Sequence, residues 1–110
     1  VVLESVIHNR TIIFDEIDAG IGGSVANAVG TRLAKLGATY QTMVVTHSPQ
    51  VTSKGHCHYL VQKNLNNNQT STSVIELNED EKIEEIARML SGNSVTNEAR
   101  EAAFKLLDNK

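Results

Sequence analysis

The chain has 110 residues and a mass of 12.0 kDa, the size of one domain or of part of one. Its net charge of −3, its single cysteine and its four aromatic residues exclude a broad basic nucleic-acid surface, a disulfide framework and a base-stacking platform. An apolar fraction of 40% suffices for a core, whereas neither a transmembrane run nor a signal-peptide layout is present in the sequence.

The first part of the chain predicts a helix followed by a parallel βαβ unit. Apolar residues at helical spacing over residues 2–7 indicate the last turns of an amphipathic helix. Residues 11–14 (TIIF) are β-branched and aromatic without polar alternation, which is typical of a strand buried on both faces. A helix from Ser24 as its N-cap to Gly37 as its C′ residue, then a second strand over residues 41–46, complete the unit.

An antiparallel hairpin is predicted next. Residues 58–63 and residues 73–77 have the composition of its two strands. The intervening residues 64–72 are rich in Asn, Gln, Ser and Thr, and a run this polar predicts a loop that does not pack.

Two helices are predicted at the end of the chain. The first has Asn78 or Asp80 as its N-cap and ends at Gly92, and the second covers about residues 97–107. The predicted fold class is therefore α/β, with a parallel βαβ unit followed by a β-hairpin and C-terminal helices.

The residues with the clearest chemical potential follow the two parallel strands. Asp15 and Glu16 end the first strand, and His47 ends the second. Ligands of open α/β sheets bind outside the carboxyl ends of the strands, so these side chains should lie at one edge. Carboxylates there can hold Mg²⁺ or orient an attacking water, and an imidazole can donate a hydrogen bond to a phosphate.

Several segments of the chain carry a family resemblance. Residues 12–16 (IIFDE) match the Walker B pattern of P-loop nucleotide hydrolases, an apolar strand followed by Asp-Glu. Four longer segments follow in order, DEIDAGIGG at 15–23, VTHSPQV at 45–51, GHCHYLVQK at 55–63 and IARMLSG at 86–92. Together they resemble the RecN family of bacterial DNA double-strand-break repair ATPases, relatives of the SMC (structural maintenance of chromosomes) proteins and ABC ATPases.

The resemblance implies roles in ATP hydrolysis for the strand-end residues. By this likeness Asp15 binds Mg²⁺, Glu16 positions the attacking water and His47, the switch histidine, contacts the γ-phosphate of ATP. The D-loop positions that the likeness assigns to cofactor binding are Asp18, Gly20, Gly22 and Gly23. Related ATPases usually have an aspartate where this chain has Gly22, so backbone groups of the glycine-rich loop, or Asp18, would have to serve instead.

Other parts of an ATPase head are not found in this sequence. It contains no G-x-x-x-x-G-K-[ST] loop (Walker A), no ABC-type signature motif and no coiled-coil heptads. The resemblance therefore implies that residues 1–110 are the C-terminal part of one ATPase head. The resemblance implies that the parent protein hydrolyses ATP, whereas the 110-residue chain alone is expected to be inactive.

The resemblance also implies partners and a location. The expected partners are the N-terminal part of the same head, a second head in an ATP-dependent dimer and, through the full-length protein, DNA. A role in DNA repair and recombination in the bacterial cytoplasm, at the nucleoid, would follow, without membrane contact. The 110-residue chain by itself is expected to self-associate, because its apolar strands have few helices to cover them.

Alternative interpretations remain open from the residues alone. The chain could be a fragment of an ABC transporter nucleotide-binding domain, although Ile-Asp-Ala rather than Pro-Thr-Ser follows Glu16. It could also be a non-catalytic α/β interaction module, or a stand-alone metal hydrolase that uses Asp15, Glu16 and His47. The group His56, Cys57 and His58 supplies potential zinc ligands but lacks a second cluster, which favours Cys57 as a small buried residue.

Overall fold

The computed structural model describes residues 10–108, so the helix predicted over residues 2–7 lies outside the described residues. The described part has the predicted α/β architecture, with a parallel strand pair, an antiparallel hairpin and C-terminal helices. In chain order its elements are β1 (Thr11–Asp15), α1 (Gly23–Thr39), β2 (Gln41–Val45), α2 (Pro49–Thr52), β3 (Tyr59–Asn66), β4 (Gln69–Glu76), α3 (Glu79–Ser91) and α4 (Asn97–Asp108).

Strands β1 and β2 run parallel and end at the same edge of their sheet. Thr11 pairs with Gln41 at one end and Asp15 with Val45 at the other. The Glu16 N–H extends the ladder by donating to the Val45 carbonyl oxygen at 2.8 Å. The turns that follow the two strands therefore lie next to each other.

The prediction that both faces of these strands are buried is wrong for the described residues. Ile12 and Phe14 are half-buried on one face, and α1 is the helix that contacts β2. The opposite face exposes 64% of Ile13, 52% of Met43 and 50% of Val45. The run of apolar residues thus marks a sheet of which one face has no covering layer among residues 10–108.

Helix α1 is longer at its C-terminal end than the sequence predicts. It begins after Gly22, which occupies the N-cap position without a side-chain cap, so Ser24 lies inside the first turn. It continues through Gly37 to Thr39. It ends where Tyr40 turns to an extended conformation, and the Tyr40 N–H still donates to the Leu36 carbonyl oxygen. Gly37 is therefore not the C′ residue, and the helix leads directly into β2.

Two glycines of α1 have opposite packing environments, which predicts opposite effects of substitution on stability. A Cβ on Gly30 would lie 3.2 Å from both the Gln50 carbonyl oxygen and Val51 Cα, whereas a Cβ on Gly37 would meet nothing within 4 Å. Gly37→Ala should raise the free energy of unfolding by about 0.5–1 kcal/mol through helix propensity. Gly30→Val should lower it by about 1–3 kcal/mol through overpacking against α2.

Urea denaturation of the 110-residue chain, followed by circular dichroism at one protein concentration low enough to keep it monomeric, measures both effects. The two variants should move the midpoint in opposite directions at unchanged slope. A shift of the same sign and size for both would show that α1 and α2 do not pack at Gly30.

The hairpin has a shorter turn than predicted. Strands β3 and β4 pair from Tyr59 with Glu76 out to Asn66 with Gln69, so most of the polar run over residues 64–72 is strand and not loop. Asn67 and Asn68 form the turn with φ values of 49° and 62°. Two consecutive left-handed residues define a type I′ turn, which asparagine tolerates and which matches the strand twist. The distal hairpin is exposed and is held by its ladder rather than by packing.

Helices α3 and α4 form the core of the C-terminal part, as the sequence predicts. The Asn78 side chain accepts from the Glu81 N–H, and Glu81 in turn accepts from the Asn78 N–H, both at 2.9 Å. This capping box starts α3, and Gly92 ends it with a φ of 81°. The buried core residues shared by the two helices are Ile86, Ala87, Ala99 and Ala103.

Candidate functional site

The site lies at the carboxyl edge of β1 and β2, where two turns face each other. The first turn covers residues 16–22 and the second covers residues 46–48. Between them is an open pocket of about 340 Å³, lined by residues 16, 18–21 and 47–50 together with Ala26 of α1. The parallel register is what brings these two turns together, as the sequence predicts.

Glu16 leaves the strand in a left-handed conformation with a φ of 53°. A non-glycine residue in this region stores strain of about 1 kcal/mol or more, and such residues cluster at functional sites. Its Oε1 atom lies 3.3 Å from Nε2 of His47, which is the juxtaposition that the sequence predicts. The Glu16 side chain is 52% exposed and that of His47 is 87% exposed, so both are accessible to a ligand.

Asp18 differs from Glu16 because its side chain is turned into the protein. The residue is only 8% exposed, and its carboxylate accepts a hydrogen bond from the Thr46 hydroxyl. The same hydroxyl oxygen accepts from the Ser48 N–H at 2.9 Å. Sequence reasoning missed Thr46, although a hydroxyl residue directly before His47 was a signal that a polar link could form there.

Of the other predicted site residues, Gly20 lines the pocket, whereas Asp15, Gly22 and Gly23 do not. Asp15 is exposed at the end of β1 and does not line the pocket. Gly20 lines the pocket and has a φ of 78°, a conformation that favours glycine. Gly22 is the N-cap of α1 and Gly23 its first residue, and a Cβ on Gly23 would lie 3.4 Å from the Gln50 side chain.

The histidine and cysteine group does not form a ligand cluster. His58 is buried and its Nε2 lies 3.2 Å from the Gly55 carbonyl oxygen, whereas His56 and Cys57 are exposed. The prediction that Cys57 is buried is wrong, because β3 begins only at Tyr59 and the preceding residues lie in a surface bend. Across residues 10–108 the structure places no three His, Cys, Asp or Glu side chains where they could share a metal ion.

No helix within the described range is long and apolar enough to cross a membrane. A comparison with solved structures identifies the fold. One similar structure is described as "Structural biochemistry of ATP-driven dimerization and DNA stimulated activation of SMC ATPases". The matched region covers 76% of this chain and 50% of the chain in that structure. The TM-score is 0.59 and the sequence identity 13%. The described α/β fold is therefore similar to that of half of this solved chain.

A comparison with curated proteins finds relatives of this chain among bacterial DNA repair proteins. The chain is 48% identical over 97 residues to the DNA repair protein RecN of Xylella fastidiosa (strain 9a5c), and 47% identical over 97 residues to those of Deinococcus radiodurans and Rickettsia felis. These matches cover 88% of this chain but only 17–18% of each relative. No protein-family profile matches. The chain is homologous to the RecN proteins and corresponds to their C-terminal segment.

Proposed function

We propose that this chain forms the C-terminal part of the ATPase head of a RecN-like DNA repair protein and contributes residues to ATP hydrolysis. The observation that carries the proposal is the contact between Glu16 and His47, at 3.3 Å, beside an open pocket at the edge of two parallel strands. Strand-end pockets of this kind are where α/β proteins bind ligands. The solved structure with a similar fold, whose description names ATP-driven dimerization, supports ATP as the ligand.

The proposed roles follow from where each group lies. The Glu16 carboxylate is accessible and can accept a hydrogen bond from the attacking water, which orients that water toward a phosphate. His47 stands opposite and can donate a hydrogen bond to the charge that develops on the phosphate oxygens. Gly20 presents backbone groups to the same pocket, and Gly22 and Gly23 allow the chain to turn from it into α1.

One residue near the site, Asp15, has a side chain suited to holding Mg²⁺. Asp15 offers an exposed carboxylate at the strand end, and Mg²⁺ is usually held by one or two carboxylates together with substrate phosphates and water. We assign Asp15 as the magnesium ligand of the complete head. When bound, the ion would neutralise phosphate charge that Asp15 and Glu16 would otherwise repel.

The complete head needs parts that this chain does not contain. None of the pocket-lining residues is a lysine or arginine, so neither residue type attracts phosphate in this pocket of the described chain. We propose that the phosphate-binding loop comes from the N-terminal part of the same head. The further proposed partners of the full-length protein are DNA and a second head in an ATP-dependent dimer. We propose that the full-length protein acts in recombinational repair in the bacterial cytoplasm, at the nucleoid. The 110-residue chain alone is accordingly proposed to be inactive.

His47→Ala in the complete protein tests the proposal. Removing a donor aimed at developing charge should lower the rate of ATP turnover by about 10²–10³-fold while ATP binding changes little. Steady-state phosphate release and a nucleotide-binding titration measure the two quantities. His56→Ala is the matched control, because His56 is an exposed histidine outside the pocket, and it should leave turnover unchanged. Equal turnover in all three proteins would remove His47 from the site.

A further inference from the structure

The link between Asp18 and Thr46 joins the two turns of the site from inside the protein. The Thr46 hydroxyl donates to the Asp18 carboxylate and accepts from the Ser48 N–H at 2.9 Å. A single hydroxyl group thus satisfies partners in both turns. Asp18 is only 8% exposed, so this part-buried hydrogen bond is less weakened by water than one between exposed groups.

The Thr46 hydroxyl also holds the backbone on both sides of His47. Thr46 precedes His47, and its hydroxyl oxygen accepts from the N–H of Ser48, which follows His47. The His47 backbone therefore lies within a small hydrogen-bonded ring. Ser48 is fixed further along, since its hydroxyl accepts from the Val51 N–H at 3.3 Å and caps α2. The histidine therefore projects from a backbone that is held at both ends.

Asp18 is equally well anchored in the turn that carries Glu16. The Glu16 carbonyl oxygen accepts from the Ala19 N–H at 3.2 Å, and the Asp18 carbonyl oxygen accepts from the Ile21 N–H at 3.4 Å. The direct contact between the Glu16 and His47 side chains is exposed, and exposed contacts between polar side chains contribute little to holding a geometry. The part-buried hydrogen bond between Thr46 and Asp18 is the better candidate for fixing the separation of Glu16 and His47.

We propose that Asp18 and Thr46 are positioning residues that hold His47 opposite Glu16 for ATP hydrolysis. This inference rests on the proposed function and deepens it. Asp18 lines the pocket, but in this role its carboxylate acts through Thr46 rather than by binding the cofactor. A displacement of a catalytic group by about 1 Å can reduce a rate by about 10²-fold, so a small movement of His47 is sufficient.

Thr46→Val in the complete protein tests the link, because valine keeps the shape of threonine and removes only the hydroxyl. We expect kcat to fall by about 10–100-fold while KM for ATP changes less than about threefold. Thr46→Ser, which restores the hydroxyl, should recover most of the rate. Thr42→Val is the matched control, since Thr42 is a half-buried threonine of β2 whose hydroxyl donates only to the Tyr40 carbonyl oxygen, and it should leave kcat unchanged.

Two further measurements separate positioning from general destabilisation. In a His47→Ala background, Thr46→Val should have almost no additional effect on kcat, because the two substitutions remove the same contribution. Amide hydrogen exchange at Ser48 should become about threefold to tenfold faster in Thr46→Val and stay slow in Thr46→Ser, since only the former lacks the acceptor. Asp18→Ala should reproduce the loss of kcat and be non-additive with Thr46→Val.

The outcomes distinguish the inference from the proposed function. If Glu16→Gln and His47→Ala lower turnover but Thr46→Val retains the wild-type kcat, the site is right and the positioning role is wrong. Full additivity of Thr46→Val with His47→Ala would also overturn the positioning role. If Glu16→Gln and His47→Ala both retain wild-type turnover, the proposed function fails and the inference fails with it.

Discussion

Glu16→Gln in the complete protein is expected to retain ATP binding and to lose ATP turnover by about 10²–10⁴-fold. Glutamine has the size of glutamate and can still accept a hydrogen bond, but it has no negative charge to polarise or deprotonate a water. The substitution also keeps a side chain of the same shape at a residue with a φ of 53°, so the turn should fold as before. Phosphate release and equilibrium binding of ATP measure the two predicted effects separately.

Glu101→Gln provides the control for the loss of one negative charge. Glu101 is an exposed residue of α4 outside the pocket, so its substitution should leave both turnover and binding at the wild-type values. Wild-type turnover in Glu16→Gln would contradict the role assigned to Glu16. Loss of ATP binding together with turnover would instead place Glu16 among the binding groups.

The elements that the sequence predicts correctly carry their signals locally. The capping box of Asn78 and Glu81 and the terminal Gly92 delimit α3 in both sequence and structure. The meeting of Glu16 and His47 is predicted because parallel strands end at one edge, whatever the details of the turns. A local cap and a topological rule were thus sufficient for one helix and for the centre of the site.

The features that sequence reasoning missed depend on backbone conformation or on the limits of an element. The left-handed conformations of Asn67 and Asn68 turn a polar run from loop into hairpin strand. The buried position of Asp18 depends on the turn that begins at Glu16, and no hydrophobic periodicity reports such a turn. Glycine is a residue type that often ends a helix, yet α1 continues past Gly37 to Thr39 and has Tyr40 as its C-cap.

The exposed face of the β1–β2 sheet predicts how the 110-residue chain behaves by itself. Ile13, Met43 and Val45 form a continuous apolar patch on neighbouring strands, and each side of this two-stranded sheet is an edge in the described part of the chain. Burial of apolar surface stabilises by about 25 cal/mol per Å², and unpaired strand edges template further pairing. In the complete head, we propose that the rest of the head covers this face.

We therefore expect the 110-residue chain to self-associate in a concentration-dependent way and Met43→Lys to shift it toward the monomer. A lysine at the centre of the patch would have to be buried with its charge in any face-to-face assembly, at a cost of several kcal/mol. Gln62→Lys is the matched control, because Gln62 is an exposed polar residue of the hairpin and its substitution adds the same charge. Light scattering and sedimentation velocity measure the mass. If the unsubstituted chain is a 12.0 kDa monomer at high concentration, the exposed face is stable in water and the prediction is wrong. If both lysine substitutions have equal effects, association depends on net charge rather than on this face.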